Sequence, residues 1–162
     1  MAILITGGTG FLGAGLARKL LERGEDVVLF DVFPRLERIP DIKDKVKVIQ
    51  GDLKVWPEVL NAVKDNKVEG VFHLGAMLSL PSEENPWASF QTNVAGTMYI
   101  LEAARLFGVE RTVFASSGAT YGLGIQRRIQ PQMRYEQPCS LRLCSCTGHT
   151  KRRVPDSDTM PR

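Results

Sequence analysis

The residues that could do chemistry begin six positions into the chain. Thr6-Gly7-Gly8-Thr9-Gly10-Phe11-Leu12-Gly13 sets glycines at 7, 10 and 13, directly after the apolar run Ile3, Leu4, Ile5. Each glycine has a physical use. Gly7 permits a tight turn, Gly10 lets main chain approach a diphosphate, and Gly13 lets a helix pack closely on the preceding strand. The amides that open that helix, at Phe11, Leu12 and Gly13, then face an anion with the helix dipole behind them. Eighteen residues past Gly13, Asp31 closes the next apolar run, Val27 to Phe30. A carboxylate there accepts hydrogen bonds from ribose hydroxyls and repels a 2′-phosphate, so NAD is expected in preference to NADP. Arg35 lies close enough to blur that preference.

Such a turn works only between a strand and a helix, and the chain supplies that alternation. Ile3 to Ile5 reads as a strand buried on both faces. Phe11 to Arg23 reads as a helix with Leu12, Leu16 and Leu20 as its apolar stripe, stopped at Gly24. Val27 to Phe30 and Val46, Val48, Ile49 read as the second and third strands. Pro57 opens a short helix through Val63, and Val71, Phe72, Leu74 make a fourth strand. Asn85 caps a helix with Pro86 in its first turn and Phe90, Val94, Met98 and Leu101 as its stripe, ending near Gly108. Thr112 to Ala115 is a fifth strand. The alternation predicts an α/β fold: a Rossmann-like doubly wound parallel sheet of about five strands, covered on both faces.

Composition bounds the rest. A chain of 162 residues and 18.0 kDa has room for one core. Hydrophobic residues make 43% and charged residues 24%, as in ordinary globular chains. No run approaches the ~20 apolar residues of a membrane span, and the N-terminus lacks the pattern of a signal peptide, so a cytoplasmic protein is expected. The net charge of +3 averages two unlike pieces: −2 over residues 1–125 and +5 over 126–162. The second piece holds all three cysteines, four of the nine prolines and no sustained period. The expected organisation is therefore an incomplete dinucleotide-binding domain over 1–125 and an unstructured basic tail over 126–162. Cys144, Cys146 and His149 lack metal-ligand spacing and a fourth ligand, so no metal is expected. Lys151, Arg152 and Arg153 are too short a run to indicate nucleic acid, and no membrane partner is expected.

With the motifs that follow, the glycine turn resembles the extended short-chain dehydrogenase/reductase superfamily, in particular the NAD-dependent epimerase/dehydratase family, over residues 1 to about 124. Asp52-Leu53 is similar to the family's Asp-Leu pair, whose acid meets the adenine amino group. His73-Leu74-Gly75-Ala76 is similar to the family's His-Leu-Ala-Ala, with Gly75 in place of an alanine. The resemblance implies that Leu74, Gly75 and Ala76 line NAD with backbone, while His73 is structural. Thr92 to Thr97 resembles the segment that puts an Asn, here Asn93, beside the nicotinamide ribose. Ser116-Ser117 and the residues through Gly122 resemble the stretch after the fifth strand. There Ser116 flanks the cofactor, Ser117 matches the serine that hydrogen-bonds the reacting hydroxyl or carbonyl, and Tyr121 matches a packing residue. The implied partners are NAD and a small-molecule substrate, a nucleotide sugar or related alcohol. A homodimer through two long helices is implied for the intact parent. His73 to Ser79 with Asn85-Pro86 also resembles the threonine-dehydrogenase-like branch, which acts on an amino acid.

One part of the pattern is missing. The family's general base is a Tyr with a Lys four residues later, whose ammonium lowers the phenol pKa. Past Ser117 the tyrosines are Tyr121 and Tyr135, followed four residues on by Ile125 and Cys139. The chain thus reads as an NAD-binding fragment without turnover, with a non-catalytic dinucleotide-binding module as the alternative. Cys146-Thr147-Gly148-His149-Thr150-Lys151, back-translated and read from the third base, can spell Tyr, Gly, a small residue or Pro, Tyr or His, then Lys. A frameshift between about residues 125 and 146 would explain the loss. Missing later elements should leave apolar surface and a strand edge open, with marginal stability or aggregation as the consequence.

Overall fold

The structure, a computed structural model, describes residues 1–117. The expectations for the tail over 126–162, its cysteines, Tyr121, Tyr135 and Lys151 to Arg153 lie outside the described residues. Five strands alternate with helices: β1 (Ala2–Thr6), α1 (Phe11–Glu22), β2 (Asp26–Asp31), β3 (Lys47–Gln50), α2 (Trp56–Lys64), β4 (Gly70–His73) and β5 (Arg111–Phe114). Between β4 and β5 run α3 (Ser79–Glu84), α4 (Pro86–Ser89), a π-helical turn (Phe90–Ala95) and α5 (Gly96–Phe107). The sheet order is β3-β2-β1-β4-β5 and every neighbouring pair is parallel. This is the doubly wound, Rossmann-like sheet that the alternation predicts.

Strand residues alternate between two cores because side chains on a strand point to opposite faces. Leu4, Val28, Phe30 and Val71 meet α2 and α5 through Val59, Val63, Ile100 and Ala104. Ile3, Ile5, Val27 and Leu29 meet Ala14, Ala17 and Leu20 of α1, together with Ile39 and Ile42 from the β2–β3 connection. With both faces covered, the central strands can be continuous apolar runs. The β2–β3 connection is held to α1 by Arg18, whose guanidinium donates to both Asp41 carboxylate oxygens (2.8 and 2.7 Å) and to the Arg38 carbonyl (2.9 Å).

Several boundaries and turns are where the sequence puts them. α1 and α5 end at Gly24 (φ +75°) and Gly108 (φ +68°), and the Asn85 side chain accepts from the Ala88 amide at the start of α4. Two helix faces are only partly so. On α1 Leu20 of the expected stripe is buried and Leu16 packs against the same core, but Leu12 is largely exposed and the other buried residues are Gly13, Ala14 and Ala17. On α5 the buried residues are Gly96, Ile100, Ala103 and Ala104, and Phe90, Val94 and Met98 of the expected stripe lie about half exposed. Small residues face the sheet in both helices because they let the helix axis come close. At Gly96 an added Cβ would sit 2.8 Å from the Leu53 Cβ. α3 and the 3₁₀ turn Leu36–Arg38 were not expected from periodicity. Leu74 falls one residue past β4 rather than inside it.

The same close packing governs Gly13 and makes a sharp contrast with its neighbour. A Cβ on Gly13 would collide with the Gly7 carbonyl oxygen and come within 2.7 Å of the Gly8 oxygen, all main chain. Nothing lies within 4 Å of a Cβ on Gly15. In urea unfolding, Gly13→Ala is expected to lower stability by about 2 kcal/mol, and Gly15→Ala to raise it by about 0.5 kcal/mol. Equal effects at the two positions would contradict this packing.

Candidate functional site

In a parallel sheet every strand ends on the same edge, so Thr6, Asp31, Gln50, His73 and Phe114 stand in one row. The chain leaves β1 toward β2 on one side, and β4 lies on the other. The crevice at that switch point is where open α/β sheets hold ligands. Gly7 turns out of β1 with φ +63°. The Gly10 amide donates to the Gly7 carbonyl (3.0 Å), and the Ala14 amide makes the first helical bond, to Gly10 (2.9 Å). The amides of Phe11, Leu12 and Gly13 precede that bond, at the positive end of the helix dipole. The Phe11 and Leu12 side chains are 88% and 65% exposed, so main chain is what these two residues bring to the turn.

A cleft of about 800 Å³ runs along this edge. One wall carries Asp31, Val32, Phe33, Asp52, Leu53 and Lys54, and the other carries Gly75, Ala76, the segment Met77 to Pro81 and Thr92. The structure therefore brings Gly7, Asp31, Asp52, Leu53, Gly75 and Ala76 together around one cavity. Asp31 Oδ2 accepts from the Thr9 hydroxyl (2.7 Å) and amide (3.0 Å), and Oδ1 accepts from the Phe33 amide (3.2 Å). The Asp52 carboxylate accepts from the Lys54 amide (2.9 Å) and pairs with the Lys54 ammonium (3.2 Å). Leu53 is buried and also wedges against α5 at Gly96.

Of the other predicted residues, Gly10, Phe11, Leu12, Gly13, Leu74, Asn93, Ser116 and Ser117 do not line that cleft, and Phe11 and Leu12 border a separate hollow on α1 with Leu16, Arg18 and Arg38. Asn93 instead clamps the loop after β4. Its Oδ1 accepts from the Met77 amide (2.7 Å), and its Nδ2 donates to the Met77 carbonyl (2.9 Å) and the Ser89 hydroxyl (3.2 Å). Ser116 and Ser117 follow β5 on the same sheet edge, one strand beyond His73, and their residues are exposed. Among the described residues no group of three or more His, Cys, Asp or Glu could hold a metal ion, and no helix is long and apolar enough to cross a membrane.

His73 is the centre of a buried hydrogen-bond chain whose direction can be worked out. The Thr97 hydroxyl donates to the Asn93 carbonyl (2.6 Å). Toward His73 Nε2, 3.0 Å away, its oxygen can only accept, so Nε2 carries the imidazole proton. Nδ1 then accepts from the Thr6 hydroxyl (2.7 Å), and Thr6 Oγ1 accepts from the Leu74 (3.1 Å) and Gly75 (3.0 Å) amides. The ring is a strut between β1, β4 and the helix, in keeping with a structural His73. The motifs did not reveal the parts of Thr6, Thr9 and Met77. The signal was present: a threonine at the end of a buried strand, next to glycines, must find a partner for its hydroxyl.

Comparison with known proteins extends this picture. The profile of the NAD dependent epimerase/dehydratase family matches residues 3–153. That match runs past residue 124, where the resemblance read from motifs stops. The UDP-glucose 4-epimerase of Thermus thermophilus, solved in complex with NAD, is 36% identical with a TM-score of 0.66, covering 73% of this chain and 38% of that one. The Bordetella bronchiseptica enzyme WbmG, also solved with NAD, is 30% identical with a TM-score of 0.68, covering 75% and 39%. The UDP-glucose 4-epimerase of Corynebacterium glutamicum is 38% identical over 124 residues, 75% of this chain and 36% of the relative. The chain thus spans well under half the length of these relatives.

The His73 strut makes the fold sensitive to acid. Burial pushes the imidazole from 6.5 down to about 4. The folded state therefore refuses a proton that the unfolded state binds, so its stability is whole above pH 6.5 and is lost as pH falls toward 4. Between pH 7.5 and 5 the unfolding free energy is expected to drop by about 2 kcal/mol from this group alone. Urea titrations of the wild type and His73→Gln check it: the difference between their pH slopes should carry that loss, and identical slopes would contradict it.

Proposed function

The chain belongs to the NAD-dependent epimerase/dehydratase family, and from that premise we propose that it binds NAD along the C-terminal edge of its sheet without turning over a substrate by itself. The observation that carries the reading is the fit at the switch point. The turn leaves no room for a side chain at Gly7 or Gly13, and a Cβ at Gly7 would lie 3.0 Å from Gly75. Its three helix-opening amides, at Phe11, Leu12 and Gly13, stand at the positive end of the α1 dipole beside the Gly7 edge of the crevice. The diphosphate sits over Phe11, Leu12 and Gly13, the adenosine ribose meets Asp31, and the adenine lies by Asp52 and Leu53. The remainder passes Gly75 and Ala76 toward Asn93, Ser116 and Ser117. When bound, NAD supplies a hydride acceptor. The protein's part is to hold it and to polarise the substrate oxygen, the task of Ser117.

What the chain lacks is a group to take the proton. No tyrosine in the sequence, Tyr99 included, is followed by a lysine four residues later. Without a phenolate the hydroxyl proton of a nucleotide sugar or related alcohol has no acceptor, and hydride transfer stalls. We ascribe the loss to a shifted reading frame. The family match runs to residue 153 in the frame as written, past the whole 125–146 interval, so the shifted frame rests on the back-translation of Cys146 to Lys151 alone. An intact parent would carry the pair and could form the homodimer that its long helices suggest.

Two measurements test the proposal. Titration calorimetry of the full chain should show saturable NAD binding, while incubation with NAD and a UDP-hexose should give no epimerised sugar above background. Failure of the folded chain to bind NAD, or epimerisation at the rate of a full-length relative, overturns it. Sequencing the coding DNA across codons 120–150 should show a Tyr-x-x-x-Lys frame one base away. A single frame without it removes the frameshift explanation.

A further inference from the structure

We propose that Thr9 is a positioning residue that aims the Asp31 carboxylate, and through it sets the preference for an unphosphorylated ribose. This rests on the proposed NAD-binding reading. Thr9 is a side-chain-bearing position inside the glycine turn, yet it is 1% exposed. A threonine whose only duty was to continue a turn would have no need to be enclosed. Its hydroxyl donates to Asp31 Oδ2 at 2.7 Å while its amide donates to the same oxygen at 3.0 Å. The hydroxyl oxygen also accepts from the Arg35 amide at 3.0 Å. One side chain thereby joins the anion-cradling turn, the end of β2 and the loop that forms the Val32, Phe33 and Arg35 wall of the cleft.

The consequence follows from counting lone pairs. A carboxylate offers about two acceptor sites on each oxygen. Thr9 fills both on Oδ2, and the Phe33 amide takes one on Oδ1 at 3.2 Å. Asp31 is left with one acceptor site for a ligand, in a fixed place, on a group whose rotation is blocked by two bonds to Oδ2. A hydroxyl can donate to that site. A phosphate ester in its place meets a negative charge that cannot swing aside. Without the Thr9 hydroxyl the carboxylate regains its rotation, so it binds a ribose hydroxyl less well and gives way more easily to a 2′-phosphate.

The experiment is a double-mutant cycle on the full chain, read by calorimetric titration with NAD and with NADP and by thermal melts. Thr9→Ala and Thr9→Val remove the hydroxyl, the second keeping the volume, and Thr9→Ser restores it. In the Asp31 background both hydroxyl-free variants should bind NAD about tenfold more weakly, the effect of one charge-assisted hydrogen bond, and NADP with little change, so the NAD/NADP ratio falls. Thr9→Ser should stay within about twofold of wild type. In an Asp31→Ala background the same substitutions should leave NAD affinity unchanged, since Thr9 acts through that carboxylate. An equal loss in both backgrounds, or an equal loss for NAD and NADP, overturns the assignment. So does loss of the cooperative melt by both hydroxyl-free variants, which would make Thr9 a fold residue only. Binding of neither nucleotide by the unmodified, folded chain overturns the proposed function, and this assignment falls with it.

Discussion

The structure depends on two main chains touching at the ends of β1 and β4. In that register Thr6 lies opposite His73, and the chains then part, one into the glycine turn and the other into the loop at Gly75. Parting strands leave amides without ladder partners, and a buried amide without a partner is costly. The Thr6 hydroxyl takes the Leu74 and Gly75 amides and must then place its own hydrogen. His73 Nδ1 accepts it, which fixes the proton on Nε2 and calls for an acceptor at Thr97. From one requirement, that nothing bulky stand between Gly7 and Gly75, follows a chain of polar contacts reaching into the helix that carries Asn93. That chain also makes the crevice rigid, because the loop forming one of its walls is fastened at Gly75 by Thr6 and at Met77 by Asn93.

How much of this was legible depends on how local each feature is. Strands β1 and β2 announce themselves because a strand buried on both faces is apolar at every position, as Ile3 to Ile5 and Val27 to Phe30 are. The ends of α1 and α5 are equally local, since both close at residues at ease with positive φ, Gly24 and Gly108. Helix faces are harder. A period of 3.6 shows that an apolar stripe exists but not which of two stripes turns inward, and size decided against the larger residues. Leu12 lost to Gly13 and Ala17 on α1, and Met98 to Gly96 and Ala103 on α5, because closeness to the sheet is worth more contacts than one large side chain would make.

The candidate site divides along the same line. The glycine turn after β1 and the acid that closes β2 could be placed because both are local patterns at a strand end. The partners that hold them could not, since the bonds that matter span 22 residues from Thr9 to Asp31, 67 from Thr6 to His73 and 16 from Asn93 to Met77. Asn93 shows the limit clearly. Its position in a motif suggests contact with a ligand, whereas its side chain is engaged by main chain and another hydroxyl, and its neighbour Thr92 is the one on the cleft wall.

A doubly wound sheet assembles its binding edge early in the sequence, and this has a consequence for what a short chain can do. On the proposed reading the first βαβ unit supplies the diphosphate turn and the ribose acid, and the loop after β4 together with Thr92 supplies the opposite wall, all within residues 1–117. None of these parts needs to change its interactions between substrate and transition state. Contacts that hold both equally lower the free energy of the complex and leave the barrier above it untouched. Rate comes from a group that gains a proton as the hydride leaves, and in this family that group belongs to a helix following the fifth strand. On the proposed reading, holding a cofactor and using it are separable along the polypeptide: this sequence keeps the glycines of the turn and has no Tyr-x-x-x-Lys.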